Sequence, residues 1–179
     1  MEDANSKIRI AEIREAGQLK TVEDLAWKIF PKTYEGLIPP EQIPYMMRLM
    51  YDDAVLRREF AEGVKFAVIF DGASPIGYVS WHPMDCDEGR AMRLEKLYLD
   101  FAYHGRSIGN MGLRFVIEAA RRAGAVFISL NVNKKNLRAQ RAYLRAGFYR
   151  WRSETEPVGG GFFKDDYIMR YDVAGAGTN

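Results

Sequence analysis

The stretch from Arg93 to Ala123 constrains the fold most, because it passes from a strand pattern through a glycine-bearing turn into an amphipathic helix. Apolar residues recur through 93–101, and Gly105 and Gly109 interrupt the pattern before the helix begins. Small or apolar residues then share one helix face, at Ile108, Gly112, Phe115, Ala119 and Ala123. A strand that feeds a helix in this way predicts a mixed α/β fold in which helices cover one sheet.

The rest of the chain supplies the other elements of such a fold. Periodicity predicts helices at 21–30, 45–51, 53–62 and 136–146, and strands at 7–13, 64–70, 75–81, 126–132, 148–152 and 162–172. Thr21 is a candidate N-cap of the first helix. Pro31 is expected to end that helix, because proline disfavours the helical conformation of the residue before it. Pro83 opens a predicted polar loop that carries Asp85, Asp87 and Glu88.

The composition excludes several classes of protein. The 179 residues carry 26 Lys and Arg against 24 Asp and Glu, and this net charge of +2 gives no support for nucleic-acid binding. A single cysteine, Cys86, excludes an internal disulfide framework, and its spacing from His82 predicts no metal site. No apolar run reaches the ~18 residues of a membrane-spanning helix, and the first six residues are polar rather than signal-like. We therefore expect a cytoplasmic protein with one domain over 1–173 and a flexible tail at 174–179.

The turn from Tyr103 to Gly112 is the sharpest candidate for ligand binding. Glycines at a helix start let a ligand approach the backbone, and the free N–H groups there favour an anion such as phosphate. Arg106 adds a cation that can form paired hydrogen bonds with phosphate oxygens. The same glycines would equally suit a tight turn without a ligand, and the local pattern leaves both interpretations open.

Ser107 lies in a G-x-S-x-G pattern, which is typical of the nucleophile in α/β-hydrolases. Those enzymes need a histidine after the serine in chain order. The chain has two histidines, His82 and His104, and both precede Ser107. This order argues strongly against a serine hydrolase of that type.

A second candidate segment runs from Asn136 to Phe148. Asn136 lies between a predicted strand and the helix that follows it, and Tyr143 comes two helical turns later on nearly the same face. Taken singly, Asn136 could be only an N-cap and Tyr143 only a core aromatic.

Together the two segments resemble the GNAT superfamily of N-acetyltransferases. Residues 104–109 align with the family's acetyl-CoA loop, (Gln/Arg)-Gly-x-Gly-x-(Gly/Ala), although His104 and Ser107 depart from it. The later signature Asn-x-x-Ala-x-x-x-Tyr-x-x-x-Gly-Phe is matched in full, by Asn136, Ala139, Tyr143, Gly147 and Phe148. The resemblance implies the GNAT fold, an α/β (α+β) domain with a mixed central sheet of about six to seven strands and helices on both faces.

The same resemblance implies acetyl-CoA as the cosubstrate and indicates residues that bind it. Backbone groups of Leu97, Tyr98 and Leu99 are expected to bind the pantetheine arm. The pyrophosphate is expected at the loop, on His104, Gly105, Arg106, Ser107, Ile108, Gly109 and Asn110. Asn136 and Tyr143 are expected to contact the cofactor as well.

Acetyl transfer to an amine needs a neutral amine and a proton for the departing thiolate. Deprotonating a lysine-like amine at neutral pH costs about 4 kcal/mol, part of which a positioned base recovers. Glu95 is the candidate general base, and Tyr143 is the candidate general acid because the family resemblance gives a tyrosine at this position that role. Glu95 could instead be an exposed carboxylate paired with Arg93 or Lys96.

The acceptor is predicted less sharply. Tyr34, Trp81 and Glu95 are candidate acceptor-binding residues, and acidic residues flank them on loops, at Asp85, Asp87, Glu88, Glu154 and Glu156. Acidic and aromatic linings suit a cationic amine, and the layout resembles bacterial spermidine/spermine acetyltransferases of the PaiA type.

A protein N-terminus or lysine is the competing acceptor, and a non-catalytic acyl-CoA-binding module is the competing class. We expect a monomer or homodimer that binds neither nucleic acid nor membrane.

Overall fold

The computed structural model describes residues 7–173, which form seven β-strands and five α-helices. The strands are β1 (Ile8–Glu12), β2 (Lys65–Asp71), β3 (Ser74–Cys86), β4 (Gly89–Leu99), β5 (Phe127–Asn133), β6 (Tyr149–Gly159) and β7 (Phe162–Asp172). The helices are α1 (Leu19–Tyr34), α2 (Gln42–Tyr51), α3 (Asp53–Ala61), α4 (Ile108–Arg122) and α5 (Leu137–Arg145), with short 3-10 turns at Ala16–Gln18 and Phe101–Tyr103. The predicted tail at 174–179 and the polar residues 1–6 lie outside the described residues.

The strands form one sheet in the order β1-β2-β3-β4-β5-β7-β6. β4 and β5 run parallel, whereas β1–β2, β5–β7 and β6–β7 are antiparallel pairs. Helices flank the sheet, so the predicted mixed α/β fold is confirmed. No helix within residues 7–173 combines the length and the apolar character needed to cross a membrane.

The chain divides into two compact units. Among the described residues, the amino-terminal unit combines residues 7–80 with Lys96–Gly112, and the carboxy-terminal unit combines Trp81–Glu95 with residues 113–173. In the amino-terminal unit, an apolar cluster forms around Ile69, Ile76, Leu99 and Ile108, and Ile8, Ile10, Leu97 and Tyr103 pack against it. This cluster fixes the end of β4 and the start of α4 in one rigid core.

The carboxy-terminal unit is built on β5 and the β6–β7 hairpin. Residues 127–133 of β5 pair with 166–172 of β7, and their buried side chains include Ile128, Leu130 and Met169. β6 and β7 continue beyond the end of β5 to the glycine turn at 159–161. Phe148 packs on Tyr171 with a ring-centroid distance of 5.3 Å, which seats the segment after α5 on the sheet.

The prediction that Pro31 ends the first helix is wrong. α1 starts at Leu19, before the predicted N-cap Thr21, and continues through Pro31 to Tyr34. Proline removes a single backbone donor, and Phe30 just before it is only 2% exposed, so burial outweighs the local preference. The Thr33 hydroxyl donates to the Ile29 carbonyl at 2.9 Å within the same turn.

The predicted polar loop from Pro83 is also wrong. β3 continues through Pro83 to Cys86, and β4 begins at Gly89, so Asp87 and Glu88 form a tight hairpin turn. β6 likewise extends through Pro157, with a register shift between Pro157 and Gly159 that accommodates the proline. Both hairpins are therefore longer than the sequence predicts.

Candidate functional site

The chain leaves β4 through a capped turn that leads to the candidate ligand loop. The Asp100 amide donates to the Ile76 carbonyl at 2.8 Å, and the Asp100 carboxylate accepts from the Ala102 amide at 3.1 Å. Lys28 on α1 forms an ion pair with the same carboxylate. The hydrogen bond from Lys28 and that from the Ala102 amide hold the pKa of Asp100 below its ordinary value.

The loop has two residues in the left-handed backbone region. Gly105 has φ +78° and Ser107 has φ +60°, and Ser107 is the one non-glycine residue with such an angle within 7–173. Both residues are exposed, and a side chain at Gly105 would meet no atom within 4 Å. The Ser107 carbonyl accepts the first bonds of α4, from the Asn110 and Met111 amides at 3.1 and 3.3 Å. An exposed helix start of this kind presents backbone N–H groups and fits an anionic group such as a pyrophosphate.

His104 and Arg106 have different surroundings in this loop. His104 Nε2 lies 2.9 Å from the Leu99 carbonyl, which can only accept, so Nε2 carries the hydrogen. The His104 ring also packs 4.6 Å from Phe101. Arg106 is exposed, with its guanidinium 5.4 Å from the Tyr103 ring. His104 thus ties the loop to the end of β4, and Arg106 is the loop's exposed cation.

Two glycines lie close to the β4 residues predicted to bind pantetheine: Gly77 of β3 is next to Tyr98 and Leu99, and Gly112 of α4 is next to Leu97. A Cβ at Gly77 would meet the Tyr98 carbonyl at 2.6 Å and Leu99 Cα at 3.3 Å, so only glycine permits this approach. Leu97 Cδ1 would lie 2.8 Å from a Cβ at Gly112, which draws α4 against β4. Two glycines therefore set the spacing around the end of β4.

Tyr34 belongs to a group of four tyrosines, Tyr34, Tyr51, Tyr78 and Tyr98, which we call the tyrosine cluster. The Tyr34 and Tyr98 hydroxyls lie 3.1 Å apart, and the Tyr98 ring stacks on Tyr78 at 5.3 Å. Tyr78 donates to the Tyr51 hydroxyl at 2.9 Å, and burial raises the pKa of both phenols well above the ordinary value. Tyr34 and Tyr98 are half-buried, whereas Tyr51 and Tyr78 are fully buried.

Glu95 lies in the carboxy-terminal unit beside His82 and Arg93. Its Oε1 is 2.9 Å from His82 Nε2 and 3.4 Å from Arg93 Nε. The predicted pairing with Arg93 or Lys96 is confirmed for Arg93. Lys96 is 3% exposed and forms its ion pair with Glu59 on α3, at 2.8 Å.

The second segment places Asn136 and Tyr143 on the same helix. The Asn136 side chain accepts from the Ala139 amide at 3.2 Å, so its N-cap role is confirmed. Tyr143 is half-buried, with its ring 5.8 Å from Phe148. Desolvation lowers the pKa of Arg138 on the first turn, and an electrostatic interaction with Tyr143 opposes that shift.

The remaining acceptor predictions receive less support. Trp81 is 3% exposed and packs edge-on against Phe115 at 5.4 Å, so its acceptor role stays a prediction that its burial does not support. Most of the predicted acidic residues have cationic partners: Glu88 with Arg170 at 2.7 Å, Asp85 with Arg90 at 3.8 Å and Glu156 with Lys164 at 3.6 Å. Within residues 7–173, no group of three or more His, Cys, Asp or Glu side chains is placed to hold a metal ion.

A sequence profile of the acetyltransferase (GNAT) family matches residues 19–148. The chain belongs to the GNAT family. An uncharacterized N-acetyltransferase of Mycobacterium tuberculosis is 37% identical over 82 residues, which cover 46% of this chain and 52% of that relative. The chain thus spans about half the length of the curated relatives it matches.

Solved structures support the same GNAT fold. The PaiA N-acetyltransferase from Thermoplasma acidophilum, in complex with coenzyme A, superposes with a TM-score of 0.72 at 22% identity, over 92% of this chain and 98% of that one. The ribosomal-protein-S18-alanine N-acetyltransferase from Escherichia coli gives 0.70 at 14% identity, over 96% and 97%. At these identities the likeness shows the fold alone.

Sequence reasoning missed two residues that contact or position the candidate site residues, His82 and Gln140. His82 was assigned no role, although it contacts the candidate base Glu95. Gln140 is 1% exposed, donates to the Asn133 and Lys134 carbonyls, and accepts from Arg150, so it holds the turn before α5 in place. A polar residue on the helix's buried side, four positions after the N-cap, was the available signal for Gln140.

Proposed function

We propose that this chain is an acetyl-CoA-dependent N-acetyltransferase that transfers an acetyl group to a primary amine by direct attack. The observation that carries the proposal is the loop of residues 104–110 in a chain whose residues 19–148 match the GNAT family. That loop combines left-handed backbone at Gly105 and Ser107, an exposed arginine and the start of a helix. The proposal treats 1–173 as one domain of a cytoplasmic bacterial protein, monomeric or homodimeric.

The cofactor would be held by backbone at the end of β4 and by the loop. Groups of Leu97, Tyr98 and Leu99 would bind the pantetheine arm, although the Leu99 carbonyl already accepts from His104. Residues 105–110 would bind the pyrophosphate, with His104 fixing the loop, and Asn136 would also contact the cofactor. The bound thioester supplies an activated acetyl group.

Glu95 and Tyr143 would move the protons. As the amine nitrogen attacks, its proton would pass to the Glu95 carboxylate, and the Tyr143 phenol would protonate the departing thiolate. Support for Glu95 comes from its exposed position on β4, shortly before the residues proposed to hold pantetheine. A phenol of ordinary pKa ~10 is neutral at pH 7 and therefore available as a donor.

A small cationic amine such as a polyamine is the acceptor we favour, with a peptide N-terminus or lysine as the alternative. The half-buried pair Tyr34 and Tyr98 offers aromatic faces and hydroxyls that suit an alkylammonium group. The acidic side chains give weaker support, because Glu88, Asp85 and Glu156 already have cationic partners.

An acceptor screen tests the function directly. Acetyl-CoA is mixed with the protein and a panel of polyamines, amino acids and peptides, and release of the CoA thiol is followed. We expect release with at least one amine, and we expect Arg106→Ala to raise the KM for acetyl-CoA about tenfold through the loss of a charged phosphate contact. Arg121→Ala, on the exposed side of α4, is the matched control and should leave KM unchanged.

Two results would contradict the proposal in different ways. Binding of CoA without thiol release from any amine would favour the non-catalytic acyl-CoA-binding module. Equal KM values for Arg106→Ala and Arg121→Ala would show that the Arg106 side chain does not bind the cofactor, while leaving the activity itself standing.

A further inference from the structure

His82 faces an oxygen atom with each of its ring nitrogens. Nδ1 lies 3.1 Å from the Pro83 carbonyl oxygen, and Nε2 lies 2.9 Å from Glu95 Oε1. A carbonyl oxygen can only accept, so the first contact is a hydrogen bond when Nδ1 carries the hydrogen. Pro83 thereby favours the tautomer of neutral His82 in which Nε2 presents a lone pair to Glu95.

The contact between His82 and Glu95 then has room for one proton. With a proton between them, the pair is either imidazolium and carboxylate or neutral imidazole and carboxylic acid, and both forms are hydrogen-bonded. Without that proton, a nitrogen lone pair faces a carboxylate oxygen. The pair is thus arranged to gain a hydrogen bond when it takes up a proton.

We propose that His82 is a positioning residue for Glu95, which orients the carboxylate and shares the proton that the carboxylate accepts from the acceptor amine. The inference rests on the proposed function, in which Glu95 is the base. In the reaction, an N–H bond of the acceptor breaks as its C–N bond forms, and the proton ends in the contact between Oε1 and Nε2. The thioester C–S bond breaks in the same transfer, and the departing thiolate receives its proton from Tyr143. Before the next turnover the pair releases its proton to solvent and Tyr143 regains one from solvent.

Arg93 is the other cationic neighbour of the Glu95 carboxylate. Its Nε lies 3.4 Å from the same Glu95 oxygen, and its Nη2 donates to Asn131 Oδ1 at 2.7 Å. Asn131 in turn donates to Asp166 Oδ2 at 3.3 Å, so the guanidinium is held in place from the far side. Arg93 therefore lies beside Oε1 whether or not the carboxylate carries a proton, and His82 is the partner whose hydrogen bond to Oε1 forms on proton uptake.

Kinetics of three variants test the inference. We expect His82→Ala to lower kcat about tenfold, the order of one hydrogen bond to a charged group, while the KM for acetyl-CoA stays within about twofold. His82→Gln should recover part of the loss, because its side-chain amide can still orient Oε1 but cannot take up the proton. In a Glu95→Gln background, His82→Ala should cause no further loss. Met84→Ala, two residues along the same strand and exposed, is the matched control.

Nuclear magnetic resonance supplies a readout that does not depend on turnover. The chain has only two histidines, so the imidazole nitrogens of His82 are assigned by comparison with a His104 variant. We expect Glu95→Gln to shift the Nε2 signal of His82, and Met84→Ala to leave it in place.

The outcomes separate this inference from the proposed function. A His82→Ala enzyme with wild-type kcat, alongside an impaired Glu95→Gln enzyme, overturns the inference and leaves Glu95 as the base. Equal losses for His82→Ala in the wild-type and Glu95→Gln backgrounds also overturn it, as does a His82→Gln enzyme no better than His82→Ala. A Glu95→Gln enzyme with unchanged kcat overturns the assignment of Glu95 itself, and the role of His82 falls with it.

Discussion

The two segments that carry the family resemblance differ in what their residues do. In the loop of residues 104–109 the sequence departs from the family pattern at two positions, and both departures have a clear place in the structure. Ser107 adopts φ +60° where the pattern has glycine, and His104 bonds to the Leu99 carbonyl. In the segment 136–148 the pattern is complete, and Asn136 and Gly147 serve the local fold, as an N-cap and as a residue with φ +97°.

This difference shows that a residue can match the family pattern without having a role in catalysis. The loop would act through its backbone, so a side chain can change as long as the left-handed conformation is reached. The helix segment is matched partly because capping and the turn after α5 require those residue types. A complete pattern therefore shows the family, and the chemistry must be tested residue by residue.

Tyr143→Phe has the largest expected effect. It removes the hydroxyl and keeps the ring, so it tests whether the matched tyrosine has a catalytic role or only a packing role. The ring contact with Phe148 would remain in the variant. If the phenol is the general acid, kcat should fall by about 10² or more, the range for acid–base catalysis. Thiol release measures kcat, and thermal melting measures the fold.

Tyr149→Phe removes another tyrosine hydroxyl, one that donates to Asp172 at 3.1 Å on an exposed strand. It should leave kcat unchanged. An equally small effect for both variants would make Tyr143 a packing residue and reduce the complete pattern to a purely structural one.

Glycine substitutions compare the two segments by stability. Gly147→Ala would hold an L-residue at φ +97° and place its Cβ 3.2 Å from Tyr171 Cε2, so we expect a loss of about 2 kcal/mol. Gly105→Ala meets a φ of +78° but no atom within 4 Å, so we expect about 1 kcal/mol. Urea denaturation measures both losses. A larger loss for Gly105→Ala than for Gly147→Ala would show that the loop, and not the segment after α5, depends more on its glycine.

Sequence patterns predicted the order of strands and helices along the chain, because helices such as α4 bury one face and strands such as β2 are apolar runs that become buried. They failed at Pro31 and Pro83, where packing and hairpin pairing override a local signal. Of the two partners that the sequence left open for Glu95, Arg93 is the one on the same face, since residues two apart on a strand share a face. The contact of Glu95 with His82 was beyond the sequence, because it depends on the length and register of the β3–β4 hairpin.

Ser107→Gly gives the smallest effect and addresses the loop alone. A non-glycine residue at φ +60° costs about 1–2 kcal/mol, and glycine gives back part of that gain through its freedom in the unfolded chain. We therefore expect Ser107→Gly to raise the free energy of unfolding by up to about 1 kcal/mol, measured by urea denaturation.

Ser153→Gly on β6 is the matched control, since an exposed strand serine needs no left-handed backbone. Glycine there should lower stability by about 0.5–1 kcal/mol, so the two substitutions should have opposite signs. If both substitutions lower stability, the backbone of Ser107 is not strained, and serine in place of glycine does not destabilise the loop. With opposite signs and unchanged affinity for CoA, the loop binds through a backbone shape that serine reaches at a measurable cost.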